Sequence, residues 1–125
     1  MIESILAVDD SKMMRELVAY TLEEAGYINI VSAENGVDAL ERAKLNKYDL
    51  IITDVNMPLM GGLELCKNLR TLELYKDTPI VVLTTESGEK IREEGRIAGA
   101  SAWIVKPFLP ENFLYVIQRV TRKEP

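Results

Sequence analysis

Short runs of apolar residues alternate along the chain with longer stretches in which apolar residues recur every three or four positions. The runs have the length of β-strands and cover residues 5–8, 28–31, 50–52, 80–83 and 102–105. Four of these runs are uninterrupted, as is typical of parallel strands that are covered on both faces. The second run contains Asn29 and therefore fits a strand at the edge of a sheet.

The stretches between the runs predict five amphipathic helices. Four of these helices have clear apolar faces, near residues 14–25, 37–43, 63–69 and 113–120. Gly26 is suited to end the first helix, and Pro110 is suited to the first turn of the last. Five βα units predict a single α/β domain, with a parallel sheet, right-handed crossovers and helices on both faces.

The fourth helical stretch, residues 87–99, differs from the others. It offers only Ile91, Ile97 and Ala98 as apolar anchors, and it contains three glycines. Because a glycine inside a helix costs about 1 kcal/mol relative to alanine, this composition predicts a weakly held, largely exposed helix.

Composition narrows the classes of function. The 125 residues suffice for one domain, and a net charge of −5 without any run of Lys or Arg argues against a nucleic-acid surface. The single cysteine fits a reducing cytoplasm, and neither a membrane-spanning run nor a signal-peptide pattern is visible. With no histidine in the chain, any chemistry must come from carboxylates, hydroxyls and lysine.

Polar side chains follow the predicted strands where those strands end. Asp9 and Asp10 follow the first strand, Asp54 the third, Thr84 the fourth and Lys106 the fifth. Because the carboxyl ends of parallel strands lie at one edge of a sheet, we expect these side chains to meet there. Taken singly, each has an ordinary alternative as a helix cap, a turn residue or an exposed strand end. Their coincidence at four strand ends favours a shared site.

This set of side chains suits phosphoryl transfer. Neighbouring carboxylates repel one another, and Mg²⁺, which binds carboxylates, water and a phosphate oxygen, removes that repulsion. Lys106 can pair with a phosphate oxygen, and Thr84 can donate a hydrogen bond to another. A carboxylate can itself be the nucleophile and form an aspartyl phosphate. We predict Asp54 in that role, since a central third strand would be reached from both the metal side and the Lys106 side.

Four segments together resemble the receiver domains of two-component response regulators, and among them the single-domain regulators of chemotaxis. These segments are Val8-Asp9-Asp10-Ser11, Asp54-Val55-Asn56-Met57-Pro58-Leu59-Met60-Gly61-Gly62, Thr84-Thr85-Glu86 and Lys106-Pro107-Phe108. The resemblance covers nearly the whole chain and implies a doubly wound, flavodoxin-like sheet with strand order 2-1-3-4-5. It also implies one receiver domain over residues 1–125 without an output domain, which the position of Met1, close before the first strand, favours.

The resemblance implies a role for each residue of the predicted site. Asp54 is the phosphoacceptor, and Lys106 contacts the phosphoryl group. The ligands of Mg²⁺ are Asp9, Asp10, Asp54 and the backbone carbonyl of Asn56. The domain is not an enzyme beyond its own phosphorylation and dephosphorylation.

The resemblance further implies a switch and a set of partners. Thr84 is the hydroxyl switch, and Trp103 stands where the family has an aromatic switch that is usually Tyr or Phe. Asn56 and Glu86 stand at positions that tune the lifetime of the phosphoryl group. A histidine kinase is the implied phosphodonor of this cytoplasmic monomer. The surface of the fourth helix, fifth strand and fifth helix would control an output protein, such as a flagellar motor switch component, and a phosphatase is a further partner.

Three alternatives are compatible with parts of this pattern. A phosphatase of the haloacid-dehalogenase kind shares the residue types but needs Asp-x-Asp after the first strand. A flavodoxin-like nucleotide binder needs a phosphate loop rich in Gly, Ser or Thr there, whereas this chain has Asp-Asp-Ser-Lys. A receiver excised from a larger kinase or transcription regulator would have the same motifs.

Overall fold

The structure, a computed structural model, describes residues 2–122. Five strands alternate with five α-helices, and a short 3₁₀ helix at Glu73–Tyr75 precedes the fourth strand. The elements are β1 (Ile5–Val8), α1 (Lys12–Glu24), β2 (Ile30–Ala33), α2 (Gly36–Leu45), β3 (Leu50–Thr53), α3 (Gly62–Arg70), β4 (Ile80–Thr84), α4 (Glu89–Ala98), β5 (Ala102–Val105) and α5 (Pro110–Thr121).

All strands pair in parallel, in the order β2-β1-β3-β4-β5. This result confirms the predicted doubly wound α/β fold. Two apolar clusters cover the sheet: one includes α2 and α3, and the other includes α1 and α5. Cys66 of α3 is fully buried in the first cluster.

The register of the strands determines which residues meet at the carboxyl edge. Val8 pairs with Thr53, so that Asp9 and Asp54 lie side by side as the first residues beyond their strands. Thr84 pairs with Val105, which brings Lys106 to the same edge.

The second strand begins two residues later than predicted. Asn29 adopts a left-handed backbone conformation with φ of 58° and therefore precedes the strand. Its side chain donates to the carbonyl of Glu3, and its own carbonyl accepts from the amide of Ile5. The prediction of an edge strand is confirmed, but Asn29 is not part of it.

Helix α4 is largely exposed, as predicted, and Gly95 and Ala98 are its only buried residues. The prediction that Ile97 anchors this helix was wrong, because its side chain is 68% exposed. Successive helix positions differ by about 100°. Since Ala98 faces the protein, Ile97 points away from it. Among residues 2–122, no helix is both long and apolar enough to cross a membrane.

Candidate functional site

Three carboxylates meet at the carboxyl edge of the sheet. Asp9, Asp10 and Asp54 each place an oxygen within 4.8 Å of the other two. Asp10 is exposed, whereas the side chains of Asp9 and Asp54 are only 7% and 12% exposed. The sequence-predicted cluster is thus present, with two of its members largely withdrawn from water.

Lys106 bridges the two buried carboxylates. Its Nζ lies 2.8 Å from Oδ2 of Asp9 and 3.0 Å from Oδ2 of Asp54. Burial alone would lower the pKa of Lys106, but the hydrogen bonds and charges of Asp9 and Asp54 outweigh burial and raise this pKa. The ammonium group leaves the cluster with two uncompensated negative charges. A divalent cation fits both this charge and the all-oxygen donor set.

The backbone around Asp54 fixes its carboxylate. Oδ1 accepts a hydrogen bond of 2.6 Å from the amide of Val55, and the amide of Asp54 donates to the carbonyl of Val8. The hydroxyl of Thr53 donates to the carbonyl of Asp54. That carbonyl also lies so close to Gly62 that a β-carbon there would overlap it. Residue 62 must therefore be glycine for Asp54 to keep this position.

Asp9 is held through its side chain and its carbonyl. Oδ1 accepts from the amide of Ser11 at 2.9 Å, and the carbonyl accepts from Nη1 of Arg15 at 2.7 Å. Ser11, and neither aspartate, is the N-cap of α1, since its hydroxyl oxygen accepts from the amide of Met14. The alternative in which Asp9 or Asp10 caps this helix is therefore wrong.

Glu86 connects the loops that flank the carboxylates. Its amide donates to Oγ1 of the fully buried Thr84 at 3.3 Å. One of its carboxylate oxygens accepts from the side-chain amide of Asn56 at 2.8 Å. Trp103 is half-buried, and its Nε1 donates to the carbonyl of Glu86 at 2.9 Å. Trp103 therefore contacts this loop and is not among the groups that bond to the carboxylate cluster.

The family model for the response regulator receiver domain matches residues 5–118 of this chain. This chain belongs to that family. It is 42% identical over 108 residues to chemotaxis protein CheY1 of Helicobacter pylori, covering 86% of this chain and 87% of that protein. It is also 42% identical to the CheY homolog of Campylobacter jejuni over 108 residues, which is 86% of this chain and 83% of the homolog.

Solved structures agree with this assignment. The chemotaxis protein CheY4 of Vibrio cholerae superposes with a TM-score of 0.90 at 46% identity, over 96% of this chain and 99% of that one. The receiver domain of the Pseudomonas aeruginosa sensor histidine kinase PA1611, solved with magnesium in its active-site cleft, gives 0.88 at 26% identity, over 97% and 98% of the two chains.

Family membership confirms the resemblance and the phosphorelay role. The chain is a receiver domain homologous to chemotaxis proteins, and receiver domains are signalling domains rather than classical enzymes. The family implies a histidine kinase as phosphodonor and some output target. The dehalogenase and nucleotide-binder alternatives receive no support. The alternative of a receiver from a larger regulator stays open, because kinase receivers have the same fold.

Three residues with clear roles in this geometry were not predicted from the sequence. Arg15 binds the carbonyl of Asp9, Gly62 makes room for Asp54, and Gly95 makes room for Trp103. The Gly61-Gly62 pair was visible in the family-like segment, but its physical reason needs the backbone contact. No local pattern marks Arg15 or Gly95.

Proposed function

We propose that this receiver accepts a phosphoryl group on Asp54 from a phosphohistidine of its kinase. An oxygen of the Asp54 carboxylate forms the new bond to phosphorus while the bond from phosphorus to the donor nitrogen breaks. The observation that carries the proposal is the position of Lys106, whose ammonium lies on Oδ2 of Asp54. From this position the ammonium can pair with the carboxylate before the transfer and with a phosphoryl oxygen after it.

Mg²⁺ is the proposed cofactor. Asp9, Asp10, Asp54 and the backbone carbonyl of Asn56 would hold it, and the cation would neutralise charge on the phosphoryl oxygens. The amide of Ser11 orients the carboxylate of Asp9. Asp9 would therefore keep its position when Asp54 is phosphorylated.

The remaining residues are proposed to control the signal. Thr84 would turn its hydroxyl to the new phosphoryl group, while Asn56 and Glu86, joined by their side chains, would regulate access of water to it. Trp103 would relay the change to α4, β5 and α5. The output target would be a protein such as a flagellar motor switch component, with a phosphatase ending the signal.

The proposed setting is a cytoplasmic monomer in which residues 1–125 form the receiver. Met1 and residues 123–125 lie outside the part of the chain that the structure describes. Purified switch component should bind the domain more tightly with Mg²⁺ and beryllofluoride than with Mg²⁺ alone. Equal binding in both states would contradict this choice of target.

Phosphorylation is tested by mass spectrometry after incubation with acetyl phosphate and Mg²⁺. The wild type should gain the mass of one phosphoryl group, and Asp54→Asn should gain none. Asp77→Asn, the same change at an exposed acid outside the cluster, is the matched control and should react as the wild type does. Phosphorylation of Asp54→Asn, or full reaction of the wild type in excess EDTA, would contradict the proposal.

A further inference from the structure

The indole of Trp103 fills a niche between three elements. Its Nε1 donates to the carbonyl of Glu86, and its six-membered ring lies against the backbone of α4 at Gly95. A β-carbon on residue 95 would lie 2.5 Å from Cζ3 and 3.0 Å from Cε3 of the indole. The same β-carbon would lie 3.6 Å from Cδ2 of Leu63 on α3. The niche is therefore open only because residue 95 has no side chain.

The backbone of Gly95 gives no other reason for a glycine. The described glycines with positive φ are Gly26 and Gly99, so Gly95 has a conformation that any residue can adopt. Inside a helix, glycine is less favourable than alanine because it loses more backbone entropy on folding. The helix thus contains a destabilising residue at the one position where the indole needs room.

Glu86 ties this niche to the carboxylate edge. Its amide donates to the Thr84 hydroxyl, its side chain accepts from Asn56, and its carbonyl accepts from Trp103. If the Thr84 hydroxyl turns to a phosphoryl group, the amide of Glu86 loses its partner, and Glu86 shifts. Because the indole is bonded to Glu86, it is displaced along with it against α4.

We propose that Trp103 keeps its rotamer and its hydrogen bond to Glu86 during signalling and acts as a wedge that moves with Glu86 against Gly95, instead of rotating between solvent and the interior. Gly95 is the positioning residue that makes this possible. The contact is effective because Gly95 and Ala98 are the only buried residues of α4, and a small displacement there moves the whole helix. Because phosphorylation of Asp54 would start this movement, the inference rests on the proposed function.

The first test uses Trp103 as the sole tryptophan of the chain. Quenching of its fluorescence by acrylamide is measured with Mg²⁺ alone and with Mg²⁺ and beryllofluoride, which stands in for the phosphoryl group. A seated indole gives the same quenching constant in both states, while hydrogen exchange changes in residues 86–100. A clear fall in quenching with beryllofluoride would mean that the ring rotates inward, and would overturn the wedge.

The second test measures the effect of one substitution on stability in two backgrounds, where the effects should be opposite. Gly95→Ala should shift the urea midpoint downward in the wild type, because its β-carbon displaces the indole. In a Trp103→Ala background, which has no ring at residue 103, the same change should shift the midpoint upward through helix propensity. Glu94→Ala, at the neighbouring exposed position, should behave alike in both backgrounds. A downward shift of equal size in both would refute the contact.

Coupling to the site is tested by the affinity for beryllofluoride. If the wedge links α4 to the carboxylates, Gly95→Ala should change the apparent Kd by about fivefold or more, since the linkage acts in both directions. Glu94→Ala should leave this Kd unchanged. An unchanged Kd in Gly95→Ala would overturn the proposed wedge but leave the proposed function intact. Failure of the wild type to take up either beryllofluoride or a phosphoryl group would instead overturn the proposed function.

Discussion

The carboxylate cluster and helix α4 are neighbours in the fold but are held in opposite ways. In the cluster, Asp9, Asp54 and Lys106 are almost wholly buried and bond to one another. On α4, an ion pair joins Glu93 and Arg96, whose side chains are 54% and 70% exposed. The proposed function needs chemistry at a fixed geometry and a helix that can shift at a low cost in free energy. The difference in burial supplies both within one small domain.

The largest effect on stability is expected at Gly62, which packs against the rigidly held backbone of Asp54. Gly62→Ala places a β-carbon against the carbonyl of Asp54, which cannot move without disturbing β3. We expect a loss of about 3 kcal/mol or more in the free energy of unfolding, at the upper end of overpacking effects. Urea denaturation measures it. Glu64→Ala, on the exposed side of the same helix, is the control and should cost less than about 1 kcal/mol.

The second prediction contrasts the two ion pairs. Lys106→Met leaves the carboxylates of Asp9 and Asp54 without their cation. We expect a loss of about 2 kcal/mol without divalent ions, somewhat below the cost for fully buried pairs because some contact with water persists. Mg²⁺ should restore more stability to this variant than it adds to the wild type.

Arg96→Ala is the matched change on α4, where the broken pair is exposed to solvent. The urea midpoint of this variant should equal that of the wild type. Should Arg96→Ala prove as costly as Lys106→Met, the contrast between a rigid cluster and a loosely held helix would be lost.

The third prediction concerns local opening. Amides of β1, β3 and β4 lie in a fully buried sheet core, whereas α4 buries only two residues. We expect native-state hydrogen exchange of α4 to proceed by local opening at a lower free energy than that of the central strands. Equal protection of α4 and β3 would contradict this expectation.

The smallest effect should come from Cys66, in the apolar layer formed by α3. Burial raises the pKa of its thiol, and nearby Arg70 only partly opposes this. Because the folded-state pKa lies above the unfolded value of about 8.5, the thiol contributes its stability below that pH and loses it as pH rises. The urea midpoint of the wild type should therefore fall more between about pH 7 and 9.5 than that of Cys66→Ala. Parallel curves would argue against a buried thiol.

Much of the fold and the membership of the site could be predicted because both follow from short-range patterns. Uninterrupted apolar runs mark buried strands, and the parallel register then carries Asp9, Asp54 and Lys106 to one edge without further information. The predicted bounds of β2 were two residues too early, because the start of this strand depends on the left-handed conformation of Asn29. An apolar run does not reveal such a conformation.

Side-chain contacts between elements could not be predicted in the same way. The bridge from Lys106 to two carboxylates depends on distances across β1, β3 and β5. The fit of Trp103 against Gly95 depends on how closely a helix approaches a strand. The sequence pattern also placed Ile97 inward, whereas the positions of α4 that pack inward are Gly95 and Ala98.

The sheet ends on both sides in a strand of only four residues, β2 and β5. An open strand edge invites pairing with another extended chain, and short edges limit the length of any such ladder. The left-handed Asn29 interrupts the extended backbone before β2, and Pro107, just beyond β5, has no amide hydrogen to donate. The backbone therefore cannot extend β2 back through Asn29, and β5 cannot pair through an amide at Pro107. A ladder with a second extended chain is therefore confined to a few residues at either edge.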